Sequence, residues 1–206
     1  GNRGVTPDSL GPRVAERVFV TRHIKEHMPE AFDFDIPSVC AIAPGVLGVT
    51  GVETMDIVFG VANKVKPDLI IAVDALASRR AARISTTIQL SDSGISPGSG
   101  VGNTRADLSR ANLGVPVIAV GVPLVVYAST ISQDTISLIA DETGLHGDEK
   151  RLRELAEQVI AKHMGDFIVT PKDIDVIVED MAGIIANAIN SALFGNNLEQ
   201  VRNMLA

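Results

Sequence analysis

Apolar positions along the chain follow two periods in turn, and their order predicts helices and strands in alternation. From Pro12 to His27, Val14, Val18, Phe19 and Ile24 recur at helical spacing among charged residues, and Met28-Pro29 ends that helix. Ser38 to Ala43 reads as a short buried strand carrying Cys40, and Glu53 to Lys66 returns to the helical period through Met55, Val58, Phe59 and Ala62. Pro67-Asp68 then delivers the chain into Leu69-Ile70-Ile71-Ala72-Val73. That unbroken run with β-branched members predicts a strand buried on both faces and ending at Asp74. Ile84 to Leu90 alternates imperfectly and reads as an edge strand with one polar face, and Val115 to Val120 as a further buried strand before Gly121. Helical stretches follow over 127–140, 148–163, 171–194 and from Asn196 on, the third with Thr170 as cap and Pro171 at its first position. The order is that of an α/β protein: a single domain over 1–206, with a mostly parallel open sheet and helices on both faces.

Composition narrows this picture. Hydrophobic residues make up 46% of the 206 positions, aromatics only 3%, and Trp is absent, so the core is expected to be built from Val, Ile, Leu and Ala. A net charge of −7 with 18 Lys and Arg and no polybasic stripe argues against direct nucleic-acid binding. One cysteine excludes an internal disulfide or a cysteine-built zinc site and suits a reducing, cytoplasmic compartment. Neither a signal peptide nor an uninterrupted membrane-spanning run is read in the sequence, and no membrane partner is expected.

The candidate chemistry is carboxylate chemistry. Ligands of open parallel sheets bind at strand ends, where Asp74 is expected, although Asp74 could equally cap a helix begun by Ala75-Leu76-Ala77. Asp8 lies in a Gly- and Pro-rich loop just before the first helix, where it too could serve as a cap. His23 and His27 stand one helical turn apart, but Ile24 occupies the place where the zinc-protease pattern needs Glu, so they read as a solvated face and no metal ligands are assigned. Cys40 reads as a core residue. The loop from Ser91 to Thr104 is rich in Gly and Ser and exposes backbone groups. Gly98-Ser99-Gly100-Val101-Gly102 lacks the lysine of a phosphate loop. Gly94-Ile95-Ser96-Pro97-Gly98 has the letters of a serine nucleophile elbow, but Pro97 has no N–H for the oxyanion hole.

Several longer stretches converge on one family. Gly1-Asn2 with Val5-Thr6-Pro7-Asp8-Ser9-Leu10-Gly11-Pro12, then Thr21-Arg22-His23, then Pro44 to Thr54, closely resembles the germination protease of spore-forming bacteria. So do Ile71 to Arg79, the loop Ser91 to Asn103, Gly121-Val122-Pro123, Val169-Thr170-Pro171-Lys172 and Glu179-Asp180-Met181. A broader likeness links the layout to the hydrogenase-maturation endopeptidases and their phosphorylase/hydrolase-like fold. The resemblance implies an endopeptidase that begins the degradation of small acid-soluble spore proteins in the spore core, made as a zymogen and assembled as a homotetramer without a cofactor. It implies Asp8 and Asp74 as the catalytic pair of an atypical aspartic protease. Asn2, Thr6, Ser91, Asp92, Ser99 and Asn103 are candidates for orienting the acids or the substrate. The family's N-terminal portion and the strand leading into its Gly-Asn are not found ahead of Gly1, and the segment from Asp141 to Gly165 reads as shorter than in the family. Two alternatives stay open at this stage: a metal-dependent peptidase like the hydrogenase-maturation enzymes, with Asp8, Asp74 and a His as ligands, and a non-catalytic member that only binds a spore protein.

Overall fold

The computed structural model describes every residue except 32–33, 97–105, 145–146, 164, 166 and 206. The chain divides into two compact units, Gly1–Val65 with Asp175–Ala206, and Lys66–Ile174.

The first unit is helical. It contains α1 (Leu10–Ala15), α2 (Arg22–His27), α3 (Leu47–Thr50), α4 (Thr54–Val65), all of α8 (Ile174–Phe194) but its first residue, and α9 (Leu198–Leu205). The single helix expected over Pro12 to His27 is broken in two. Thr21, fully buried and non-helical at φ −122°, donates its hydroxyl to the Pro37 carbonyl at 2.7 Å and accepts the Val39 N–H at 3.0 Å. Just before it, the Phe19 N–H is taken by Asn190 Oδ1 at 2.9 Å, while Asn190 Nδ2 donates to the Arg17 carbonyl at 3.0 Å. Tertiary partners thus claim the backbone groups that a continuous helix would have used. The same bonds correct the reading of Ser38 to Ala43. This stretch is not a strand, because Val39 spends its carbonyl on the N–H groups of Thr21 and Arg22, and Cys40 is exposed rather than core.

Leu10, Val14, Val178, Ala182, Ile185 and Ala186 are buried in this unit, and Ile36, Phe194 and Val201 form a cluster with Phe19 and Leu198 packed against it. The run Ile174–Leu205 is long and apolar enough, by length and composition, to cross a membrane. Within it, buried small and branched residues face the unit's core, and Glu179 pairs with Arg13 and Arg17.

The second unit carries the sheet. β1 (Ile70–Ser78) pairs in parallel with β3 (Val117–Tyr127), and β3 pairs antiparallel with both β2 (Gln89–Ser91) and β4 (Ile168–Val169). The protein is α/β as the pattern predicts, but the sheet is mixed. The chain passes from β1 to β2 through one short link that holds the 3-10 turn Ala81–Arg83 and no crossover helix, so β2 runs against β1 and therefore against β3, which lies between them. Most of the Ile84 to Leu90 segment lies outside any strand; its Ser85 N–H reaches the Pro123 carbonyl at 2.7 Å.

β3 is the core of this unit, with Val117, Ala119, Val120, Val122, Leu124 and Val126 all buried. It extends well past Gly121, where the sequence predicts its end, and takes Pro123 in its stride. The register with β1 shifts beside that residue, Leu76 facing Pro123 and Ala77 facing Val125, and such an irregularity is where a strand accommodates proline. The remaining elements of the unit are α5 (Arg110–Leu113), α6 (Ala128–Thr143) and α7 (Glu149–His163). The helix expected from Pro171 begins at Ile174, whose N–H donates to the Pro171 carbonyl at 3.3 Å.

Candidate active site

Asp8 closes a single 3-10 turn, Thr6–Asp8, with Pro7 in its first positions, where a fixed φ and a missing N–H cost nothing. The Asp8 N–H donates to the Val5 carbonyl at 2.9 Å, and the Ser9 N–H to the Thr6 carbonyl at 3.1 Å. Ahead of the turn, the Val5 N–H donates to the Asn2 carbonyl at 3.2 Å and the Gly4 N–H to Asn2 Oδ1 at 2.9 Å. This folds the first residues back, so that the Asn2 N–H donates to Asp8 Oδ2 at 2.6 Å. A Cβ at Gly1 would collide with the Asp8 carbonyl oxygen, so the close approach requires glycine there. Burial pushes the half-buried Asp8 carboxyl above its ordinary range, against the opposing pull of the Asn2 N–H. A carboxyl that holds its proton unusually long can donate it, or share it with a second acid.

Behind the turn stands a polar relay that sequence reasoning missed. Ser9, fully buried, donates its hydroxyl to the Thr6 carbonyl at 2.8 Å and accepts Arg13 Nε at 3.1 Å. Arg13 Nη1 donates to Glu179 Oε2 at 2.7 Å, and Arg17 Nη2 to Glu179 Oε1. The spacing of Ser9 and Arg13, one helical turn, was visible in the sequence; their partner on α8 was not.

Asp74 is buried in the second unit, and it does not end its strand. It is the fifth of the nine residues of β1, and Ala75-Leu76-Ala77 continue the strand instead of starting a helix, which removes the capping role. The reason is β3, which runs far enough to give every residue up to Ser78 a partner, at Val126. Asp74 faces Gly121, and Gly121 faces Gln89 of β2, so the three occupy one row on one face of the sheet. Leu76 leans across that row: a Cβ on Gly121 would collide with its Cδ1 and Cγ.

Among the other candidates, Asn2 and Thr6 join Asp8 in one loop, Asn2 through its backbone N–H and Thr6 through its carbonyl. Ser91 ends β2 opposite Ala119, two residues beyond Gln89 and on the same face; its Oγ lies 2.6 Å from Ser93 Oγ. Asp92 is exposed beside it. Ser99 and Asn103 lie outside the described residues. The loop they belong to is closed at its base by a bridge between Ile95 and Leu108, made possible by Gly94 at φ +92°. His23 and His27 are exposed on α2, and among the described residues no three His, Cys, Asp or Glu side chains are grouped to hold a metal ion.

The germination protease family model matches residues 1–151 and 142–204. The germination protease of Clostridium tetani is 47% identical over 94% of this chain and 64% of its own length. That of Caldanaerobacter subterraneus is 48% identical over the whole chain and 67% of its own length, and that of Bacillus cytotoxicus 42% identical over 94% and 65%. The chain thus spans about two thirds of the relatives it matches. The alignment with the Bacillus cytotoxicus protein runs over 237 residues, more than this chain's 206, so that relative carries insertions, and the two family matches meet in the 142–151 region of the segment read as shortened. A family-wide match and this level of identity establish what the motifs indicate: the chain belongs to the germination protease family.

Proposed function

We propose that this chain is the peptidase part of an endopeptidase that opens the degradation of small acid-soluble spore proteins at germination, with Asp8 and Asp74 acting on water as a carboxylate pair. The observation that carries the reading is the Asp8 carboxyl, half-buried, held by the Asn2 N–H and shifted toward retaining its proton, in a chain of this family. In the proposed reaction the ionised carboxylate takes a proton from water, and the water oxygen bonds to the scissile carbonyl carbon. The protonated acid supplies a proton as the C–N bond breaks and the amine leaves. Neighbouring carboxyls titrate jointly, so neither role is tied to one residue. Asn2 and Ser91 are proposed to orient the acids or the substrate. The same reading includes synthesis as a zymogen, a homotetramer, action in the spore core without cofactor or membrane, and kinship of the fold with the hydrogenase-maturation endopeptidases.

The test is cleavage of a purified small acid-soluble spore protein by the full-length protein, with and without chelator, beside Asp8→Asn and Asp74→Asn. Cleavage that survives chelator and falls by at least about 10³-fold in both folded variants is the expected result, in line with losing a general acid or base. Full activity in either variant overturns the pair, and activity that needs metal moves the chemistry to a metal centre.

A further inference from the structure

Arg13 and Glu179 have no place in a two-carboxylate mechanism, yet their hydrogen bonds end at the turn that carries Asp8. Arg13 uses two edges of its guanidinium: Nε on Ser9 Oγ at 3.1 Å and Nη1 on Glu179 Oε2 at 2.7 Å. Ser9 passes the constraint to the Thr6 carbonyl at 2.8 Å, and Thr6 opens the 3-10 turn that Asp8 closes. Ser9 is fully buried, so its hydroxyl has no water to turn to, and the Arg13 fork leaves it one orientation. Glu179 projects from α8, whose neighbouring Val178 and Ala182 are buried, so the far end of the relay is anchored on a packed helix. All of these residues lie in the first unit.

We propose that Arg13, braced by Glu179 and acting through Ser9, is a positioning residue that holds the Asp8 carboxyl in its half-buried place against the Asn2 N–H. The proposal deepens the carboxylate-pair reading and rests on it for its effect on rate, but not for its effect on Asp8 itself. Without the relay the turn loosens, Asp8 meets more water, and its carboxyl returns toward the ordinary range.

The experiment compares Ser9→Ala, Arg13→Met and Glu179→Gln with the full-length wild type and with Arg202→Met, whose guanidinium pairs with Glu199 on α9. Three quantities are followed: the Asp8 carboxyl titration by carbon NMR, the pH profile of spore-protein cleavage, and the melting temperature. Ser9→Ala removes a single oxygen and keeps the Ser9 N–H bond to Thr6, so it serves where a bulkier change fails to fold. The expected result for the three relay variants is a downward shift of the Asp8 titration and of the limb of the kcat/KM profile that follows it. Their kcat should fall roughly ten- to hundredfold, as for a displaced catalytic group, with KM within about twofold. Arg202→Met should show none of these changes. An unchanged Asp8 titration in Ser9→Ala and Arg13→Met, or the same shift in Arg202→Met, overturns the relay. Should Asp8→Asn keep full activity, the carboxylate-pair reading falls, and the Asp8 titration alone then decides on the relay.

Discussion

At the scale of single residues, Asp8 ties local geometry to pH. Its carboxyl binds its proton more tightly in the folded chain than in the unfolded one, where the ordinary value is 3.8, because burial outweighs the Asn2 N–H. Between that value and its raised one the folded state therefore holds more protons, and the contribution of Asp8 to stability falls as pH rises through the window. Asp8→Asn removes this dependence. The stability of the variant relative to wild type should grow from about pH 3.5 upward and level off above the folded titration, measured by urea unfolding across the range. A relative stability that is flat or declines with pH would show that the buried carboxyl is not the group that titrates. Glu179 behaves in the opposite sense: the hydrogen bond from Arg17, then the nearby guanidinium charges, hold it below the usual carboxylate range. It is exposed, so that pairing contributes little to stability.

At the scale of elements, the parallel pair β1 and β3 decides where Asp74 stands. Gly121 lies between Asp74 and Gln89 and leaves the space that Leu76 fills. Gly121→Ala forces Leu76 from its position, and overpacking of this kind should destabilise the protein by roughly 1–3 kcal/mol, read by urea or thermal unfolding. The clash has one named partner, so Gly121→Ala combined with Leu76→Ala should cost less than the sum of the two single changes. Additive costs would mean that the strain at Gly121 comes from elsewhere in the strand pair. The neighbouring register shift is part of the same arrangement, since it lets β3 carry Pro123 without ending.

For the molecule as a whole, charge is the property that bears on partners. A net charge of −7, carried by 25 Asp and Glu against 18 Lys and Arg, gives this chain no overall attraction for phosphates. The full-length protein should not shift a duplex fragment in a gel at about 0.1 M salt, where nonspecific binders still hold phosphates. Binding that weakens steeply with added salt would reveal a basic surface supplied by residues outside this chain or by its assembly.

Much of this was legible in the order of residues. Apolar periodicity located α4, α6, α7 and α8 and the first half of both long strands, because such segments bury one stripe or a continuous run whatever they pack against. The motifs around Asp8 and Asp74 pointed to the family, and the Gly- and Pro-rich stretch around Asp8 to a tight turn, since such residues at close spacing constrain a loop through local sterics. Tertiary structure decided the rest. Whether Val18 to Thr21 continues a helix depended on Asn190, Pro37 and Val39, each far along the chain. Whether Asp74 ends a strand or sits within it depended on the length of β3, and whether Cys40 is core depended on which partner took the Val39 backbone. The relay from Glu179 to Ser9 joins residues 170 positions apart, 9 and 179. Local sequence sets which conformations a segment favours, but hydrogen-bonding groups withdrawn from water take whichever partner folding brings near, and that partner is written elsewhere in the chain.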